Sequence, residues 1–326
     1  MMIQATKWFL CVMMVIASTN AGLLCADQEG ESSSDPVLEL VGKMTHPELR
    51  EVSGIEFDQS QPGVWWAIND SGCEPKVYRM DRWGEIIVDN DALDDVAVGF
   101  ELTGAVNVDW EDLTIYNGML VVPDMGNNWN ARQNLGIYFA ELPSAEVMAG
   151  PLEILRHVRV RYPDQETFPA TQFEFDCEAV FYLDGKLHVL TKQRMGQTKL
   201  SRIGTKLYRL DKEDEEVVNE LTLVDRHETI GPWVTGADVS PEGDRLAVLT
   251  QFEVWIFERP EDSDKWLSEG KATRVKLPRD LAKQAEAICW DDIQTLRIAN
   301  EQREIYTLDV RLCDEEMSAD ALTYGS

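Results

Sequence analysis

Asp109-Trp110-Glu111-Asp112-Leu113-Thr114-Ile115-Tyr116-Asn117-Gly118-Met119-Leu120-Val121-Val122 is the stretch on which the fold turns. A polar opening leads into a short apolar run, Asn-Gly turns the chain, and a second apolar run returns. Asn-Gly between two such runs signals a β-hairpin, because both central residues of a type I′ turn need a positive φ. The pattern recurs: Ala179 to Leu183 turns at Asp184-Gly185 into Leu187 to Thr191, and Ser240-Pro241-Glu242-Gly243-Asp244 precedes Arg245 to Thr250.

Five such openings align on the apolar residue two places on, which puts Ser53, Glu111, Glu178, Thr235 and Glu286 in register at intervals of 58, 67, 57 and 51 residues. That regularity marks a tandem repeat slightly longer than a compact propeller blade of about 40 to 50 residues. Third strands are expected at Gly136 to Leu142, Lys206 to Asp211, Glu253 to Glu258 and Glu304 to Val310. Fourth strands fit Ile154 to Arg161, Val217 to Val224 and Lys271 to Lys276. The last repeat runs out after three strands, and an unassigned strand, Val37 to Lys43, stands at the start. The sequence therefore predicts an all-β, five-bladed β-propeller closed by its N-terminal strand, which protects the edges of the ring. Six blades are the alternative, if Glu85 to Gly104 or Gly126 to Phe175 hides another unit.

In this organisation the start of each first strand and the end of each second strand meet at one mouth. The first set brings Ser53, Glu111, Glu178, Thr235 and Glu286. The second brings polar residues that close the hairpins, among them Asp70, Asp124, Lys192, Arg194 and Glu301. Carboxylates gathered there repel one another unless protonated or neutralised by a cation. An oxygen-only donor set suits Ca²⁺, and the absence of His and Cys from the aligned positions argues against zinc. The competing expectation is that the Glu carboxylates accept backbone hydrogen bonds from neighbouring blades and weld the ring. His46, His157, His188 and His227 read as ordinary histidines.

Lys7, the apolar run Trp8 to Ala17 and small residues through Ala21 read as a secretory signal peptide over 1–26, followed by an acidic, Ser-rich linker over 27–36. The propeller then spans 37–312, with a C-terminal tail over 313–326. Export to the periplasm or beyond is expected, with lipid anchoring through Cys25 as the lesser alternative and no membrane insertion after cleavage. Export permits disulfides, and Cys289 with Cys313 is the favoured pair against buried free thiols. A formal charge of −29 over 326 residues excludes nucleic acid as a partner and favours a cation, although solvated surface charge accounts for much of it. Like charge of that size also points to a monomer.

Two resemblances add to this. Ser53-Gly54-Ile55, Asn69-Asp70-Ser71-Gly72, Asp109-Trp110-Glu111-Asp112-Leu113, Asp124 with Gly126-Asn127-Asn128 and Arg132, Glu178-Ala179, Leu190-Thr191-Lys192, Thr235-Gly236-Ala237-Asp238, Glu286-Ala287-Ile288 and Asn300-Glu301 together resemble the secreted bacterial propellers called SdiA-regulated or esterase-like-activity-of-phytase proteins. The axial order Ser53, Glu111, Glu178, Thr235, Glu286 is similar to the Ser, Glu, Glu, Ser, Glu ring of the five-bladed calcium-activated nucleotidases, or apyrases, with Thr in the fourth place. That second resemblance implies one central Ca²⁺ on these five residues.

Two functions are then expected. One is a metal-dependent hydrolase of phosphate or carboxylic esters, with Asp70, Asp124 or Glu301 taking a proton from water and Lys192, Arg194 and Arg132 stabilising negative charge. The other is a non-catalytic module whose mouth binds a small molecule, glycan or peptide, with Trp66, Trp110 and Trp129 as stacking surfaces unless they pack in the core. A Gly-x-Ser-x-Gly elbow is missing from the sequence, which removes a serine esterase of the hydrolase fold.

Overall fold

A computed structural model describes residues 38–88 and 98–313. The expected signal peptide, the linker and the tail beyond 313 lie outside the described residues.

The fold is an all-β propeller. Apart from the short Ser201–Arg202 and Val218–Glu220, its described strands fall into successive antiparallel sets of four. The first set is Val52–Phe57, Trp65–Asn69, Lys76–Met80 and Phe100–Thr103, and the second is Thr114–Tyr116, Met119–Asp124, Gly136–Glu141 and Gly150–Arg161. Phe173–Leu183, Lys186–Arg194, Thr205–Leu210 and Thr222–His227 make the third. The fourth is Val234–Val239, Arg245–Thr250, Glu253–Glu258 and Ala272–Lys276. Ala285–Trp290, Thr295–Asn300 and Glu304–Asp309 make the fifth, whose outer strand is Leu38–Lys43 from the other end of the chain, paired Leu38 to Leu308 and Lys43 to Glu304.

Turn chemistry explains the hairpins. Asn117 and Gly118 have φ of 50° and 73°, and Asp184 and Gly185 have 49° and 73°, as type I′ turns require. Apolar residues then fill the space between neighbouring sets. Trp66, Phe100 and Trp110 pack between the first and second sets, Phe139, Phe175 and Tyr208 between the second and third, and Phe181, Val248 and Phe257 between the third and fourth. Ile256, Ile288 and Leu308 join the fourth to the fifth, and Ile55, Met80 and Ile305 join the fifth back to the first. The first strands touch in the same closed cycle and form the inner wall.

The two segments named for a sixth unit, Glu85 to Gly104, whose residues 89–97 lie outside the described residues, and Gly126 to Phe175, pair with each other. Phe100–Thr103 completes the first set and also pairs in parallel with Gly150–Arg161, the outer strand of the second. The fourth strand expected at Val217 to Val224 lies later, at Thr222–His227. Buried Leu221 drops into the layer between the second and third sets, so Val218–Glu220 ahead of it pairs in parallel with Arg159 to Arg161 instead. Cys73, Cys177 and Cys289 are free thiols. The favoured Cys289 to Cys313 pair is not formed, because the two lie in different apolar layers.

Candidate functional site: an acidic axial cavity

Register shifts decide where the aligned residues point. The strand pairing slips between Val52 and Gly54, Cys177 and Ala179, Val234 and Gly236, and Ala285 and Ala287. The extra residue at these bulges is Ser53, Glu178, Thr235 and Glu286 respectively. A bulge leaves one residue out of the ladder and re-aims its side chain. Glu111 reaches the same place differently, just ahead of its strand and next to an isolated bridge from Trp110 to Asp124.

All five line one cavity of about 440 Å³, together with Asp70, Lys192, Arg194 and Glu301. Asp124 is the exception among the expected site residues. It is buried, its carboxylate is held by Arg132 at 2.8 Å, and it accepts the Asp109 backbone N–H at 2.9 Å. Both expected roles are thereby corrected: Asp124 is not placed to take a proton from a ligand, and Arg132 is engaged with Asp124 and the Gly126 carbonyl. None of the four histidines lines the cavity. Trp66 and Trp110 are core residues, while Trp129 is 60% exposed on the loop after Asn128.

The welding function falls to other groups than the ring glutamates. Ser53 Oγ donates to the Trp110 carbonyl at 3.0 Å and Thr235 Oγ1 to the Ala285 carbonyl at 2.9 Å, in each case the residue just before the next ring glutamate. Asp112 accepts from Val180 N at 2.8 Å and Asp238 from Trp290 N at 2.7 Å, tying second set to third and fourth to fifth. Glu111 and Glu286 accept no hydrogen bond among the described residues.

A second tier lies two residues upstream of the ring, where an extended chain returns to the same face. Glu51, Trp233 and Gln284 line the cavity at that step, and Asp109 and Asp176 join its carboxylates. Asp70, Asp109 and Glu111 each offer an oxygen within 4.8 Å of the others, as do Glu111, Asp176 and Glu178. Calcium binds oxygens at about 2.3 to 2.6 Å, so opposed ligands lie up to about 5 Å apart, and both groups fit that span.

Lys192 belongs to the second of these groups, which shares Glu111 with the first. It is buried opposite Asp176 in the hairpin, touches Glu178 Oε1, and stands 3.7 Å from Asp176 Oδ2. Burial works to lower its pKa, but Glu178, Asp176 and Glu111 outweigh it and hold the ammonium above the usual lysine range. Arg194 Nε also lies 3.7 Å from Asp176 Oδ2, and its guanidinium covers the Trp233 ring at 5.5 Å. Asp176 Oδ2 makes no hydrogen bond of its own.

Glu178, Glu111, Asp109, Glu286 and Glu301 are each pushed towards the neutral form, chiefly by burial. Burial, then Asp176 and Asp70, raises Asp109 to about 6 against Arg132 and Lys192. Burial is again the chief cause for Glu286, raised to about 7, and for Glu111, which Glu178 pushes further. Glu301, which accepts from Gln284 Nε2 at 2.7 Å, is raised by burial and then by Asp70 and Glu51.

The fold and site together define an all-β propeller with an acidic, partly self-neutralised cavity inside its ring of first strands. No family model and no curated protein matches the chain. Among solved structures it is similar to a glucose dehydrogenase, at 8% identity and a TM-score of 0.46, over 84% of this chain and 99% of that one. It is also similar to the hydrazine synthase of Kuenenia stuttgartiensis, at 11% identity and a TM-score of 0.41, over 79% of this chain and 71% of that one. These likenesses carry no statement about ligand or reaction.

Proposed function

We propose that this protein is an exported five-bladed propeller, each set of strands one blade, whose axial cavity binds a divalent cation and through it an anionic group of a small molecule, glycan or peptide. The observation that carries the reading is the bulge at Ser53, Glu178, Thr235 and Glu286, which turns four equivalent residues into the cavity that Glu111 also enters. Bulges cost ladder hydrogen bonds, and their recurrence at one aligned position fits the shaping of one shared ligand cavity. The donors are oxygens throughout, which favours Ca²⁺. The resemblance to the SdiA-regulated propellers and to the apyrase ring agrees with this.

Hydrolysis of a phosphate or carboxylic ester is the second reading. Glu286 favours it, as a carboxylate without a hydrogen bond and pushed up to about 7, near the value a general base needs at neutral pH. A bound cation would polarise the ester oxygen. Glu286, Asp70 or Glu301 would then take the proton of the attacking water, and Arg194 would face the departing oxygen.

The test is thermal unfolding of the chelator-treated mature protein with Ca²⁺ or Mg²⁺, beside a Glu111→Gln, Glu178→Gln double variant. A cation at 100 times its Kd adds about 2.7 kcal/mol. A shift in the parent that the variant lacks supports the cation site, and ester substrates are then assayed with Ca²⁺ present. No shift with either cation removes the reading.

A further inference from the structure

Resting on that cation reading, we infer that the metal sits off the axis, on Asp70, Asp109 and Glu111 between the first two blades, while the Lys192 ammonium is a built-in cation that fills the axial place.

Asp109 and Glu111 are 8% and 9% exposed, and neither carboxylate accepts a hydrogen bond among the described residues. Their oxygens converge with one from Asp70 within 4.8 Å. Two carboxylate side chains more than nine-tenths buried, whose oxygens open only to the cavity and meet no protein donor, are costly in their ionised forms unless something positive completes them.

The supports are built in. Asp109 N donates to Asp124, which Arg132 fixes, and Gly126 N donates to the Asp109 carbonyl at 2.9 Å. A Cβ on Gly126 would stand 2.6 Å from the Asp109 side chain, so this close approach needs glycine. Asn107 Nδ2 donates to the Asp70 carbonyl at 2.9 Å and its Oδ1 accepts from Trp110 N at 3.1 Å, joining the two loops that carry the donors. Asp70 is only half-buried, which leaves coordination places open towards the mouth for water or a ligand's anionic group.

The other group, Glu111, Asp176 and Glu178, already holds an ammonium. A divalent ion seated there would lie beside Lys192 and be repelled by it. Axial Glu286 belongs to neither group.

The test is isothermal titration of Ca²⁺ into the chelator-stripped full-length mature protein and three variants, with folding checked by near-ultraviolet circular dichroism. Asp109→Asn is expected to weaken the Kd at least 30-fold and Glu286→Gln less than 5-fold. Lys192→Met is expected to raise the stoichiometry from one Ca²⁺ to two by freeing the axial group. An Asp109→Asn protein within 3-fold of the parent overturns the off-axis site, as does a Glu286→Gln loss as large as that of Asp109→Asn. Should Asp109→Asn fail to fold, a Lys192→Met protein that still binds one Ca²⁺, more tightly than the parent, overturns it independently. A parent that binds no Ca²⁺ at millimolar concentration defeats the cation reading itself, a result distinct from binding at the axis.

Discussion

Lys192 touches Glu178 inside the axial cavity, so one carboxylate of the ring is paired with a residue from its own hairpin. A lysine at the end of that hairpin serves two masters on paper, since it can wait for an anionic ligand or balance the acids around it. Its distances to Glu178 and Asp176 favour the second.

Replacing Lys192 with Met should therefore act first on stability. Removing one partner of a buried ion pair strands the other charge, at about 3 to 5 kcal/mol. In chelator at pH 7.5 the urea midpoint of Lys192→Met should drop accordingly, and Ca²⁺ should restore part of it. A variant that loses ligand binding or turnover at unchanged stability would instead make Lys192 a ligand-facing residue.

Asp112 predicts a weld rather than a site. Its Oδ2 accepts Val180 N across the junction of the second and third sets, and its Oδ1 accepts Leu113 N. Asp112→Ala takes the acceptor from both amides, and each buried donor left unpaired costs about 1 to 3 kcal/mol. Calcium affinity should change little beside that loss, so denaturation and titration on the same sample separate the two roles.

The pH dependence follows from Asp238, buried at the junction of the fourth and fifth sets. Burial pushes its carboxyl up to about 7, opposed by the Trp290 and Val239 amides. Glu56 nearby is raised as well, by burial and then by Asp238, Asp112 and Asp58. An aspartic acid titrates near about 3.9 when unfolded. Folding thus takes up a proton, and the stability this group contributes is full below about pH 4 and is lost as pH rises through about 7. Between pH 5 and 7 the parent should lose up to about 1 kcal/mol per pH unit relative to Asp238→Asn. Parallel urea midpoints for the two proteins across that range would contradict this.

Gly118 tests the turn on which the fold was first read. Its φ of 73° is easy for glycine and strained for alanine. Gly118→Ala should cost about 1 kcal/mol, measured as a lowered melting temperature with cation binding intact.

Much of this was legible in the sequence because it depends on local chemistry. Asn117-Gly118 and Asp184-Gly185 specify their hairpins, and the missing strand of the last repeat pointed to Val37 to Lys43, of which Leu38–Lys43 does pair there. The aligned residues Ser53, Glu111, Glu178, Thr235 and Glu286 do share one cavity. The second tier was hidden in plain view. Asp109 and Asp176 each stand two places before a ring glutamate, but a bulge interrupts the ladder at Glu178, and strict alternation could not say which face either would take. Asp124 looked equivalent to Asp70 at the end of a second strand. Only the fold shows that Arg132 claims it. Likewise Val217 to Val224 has the composition of a strand throughout, and the choice of partner was made by Leu221 packing from another layer.

Leu38–Lys43 closing on Glu304–Asp309 has a temporal consequence. Made first, it must wait for almost all of the described chain before its partner emerges, so the seam is the contact of longest sequence separation and the last that synthesis permits. Until then Leu38–Lys43 stays unpaired on the growing molecule, and a neighbouring chain's Glu304–Asp309 fits it as well as the chain's own. At high concentration the propeller's natural misassembly is thus an exchange of this one strand between copies, which leaves every blade complete and the cavity unaltered.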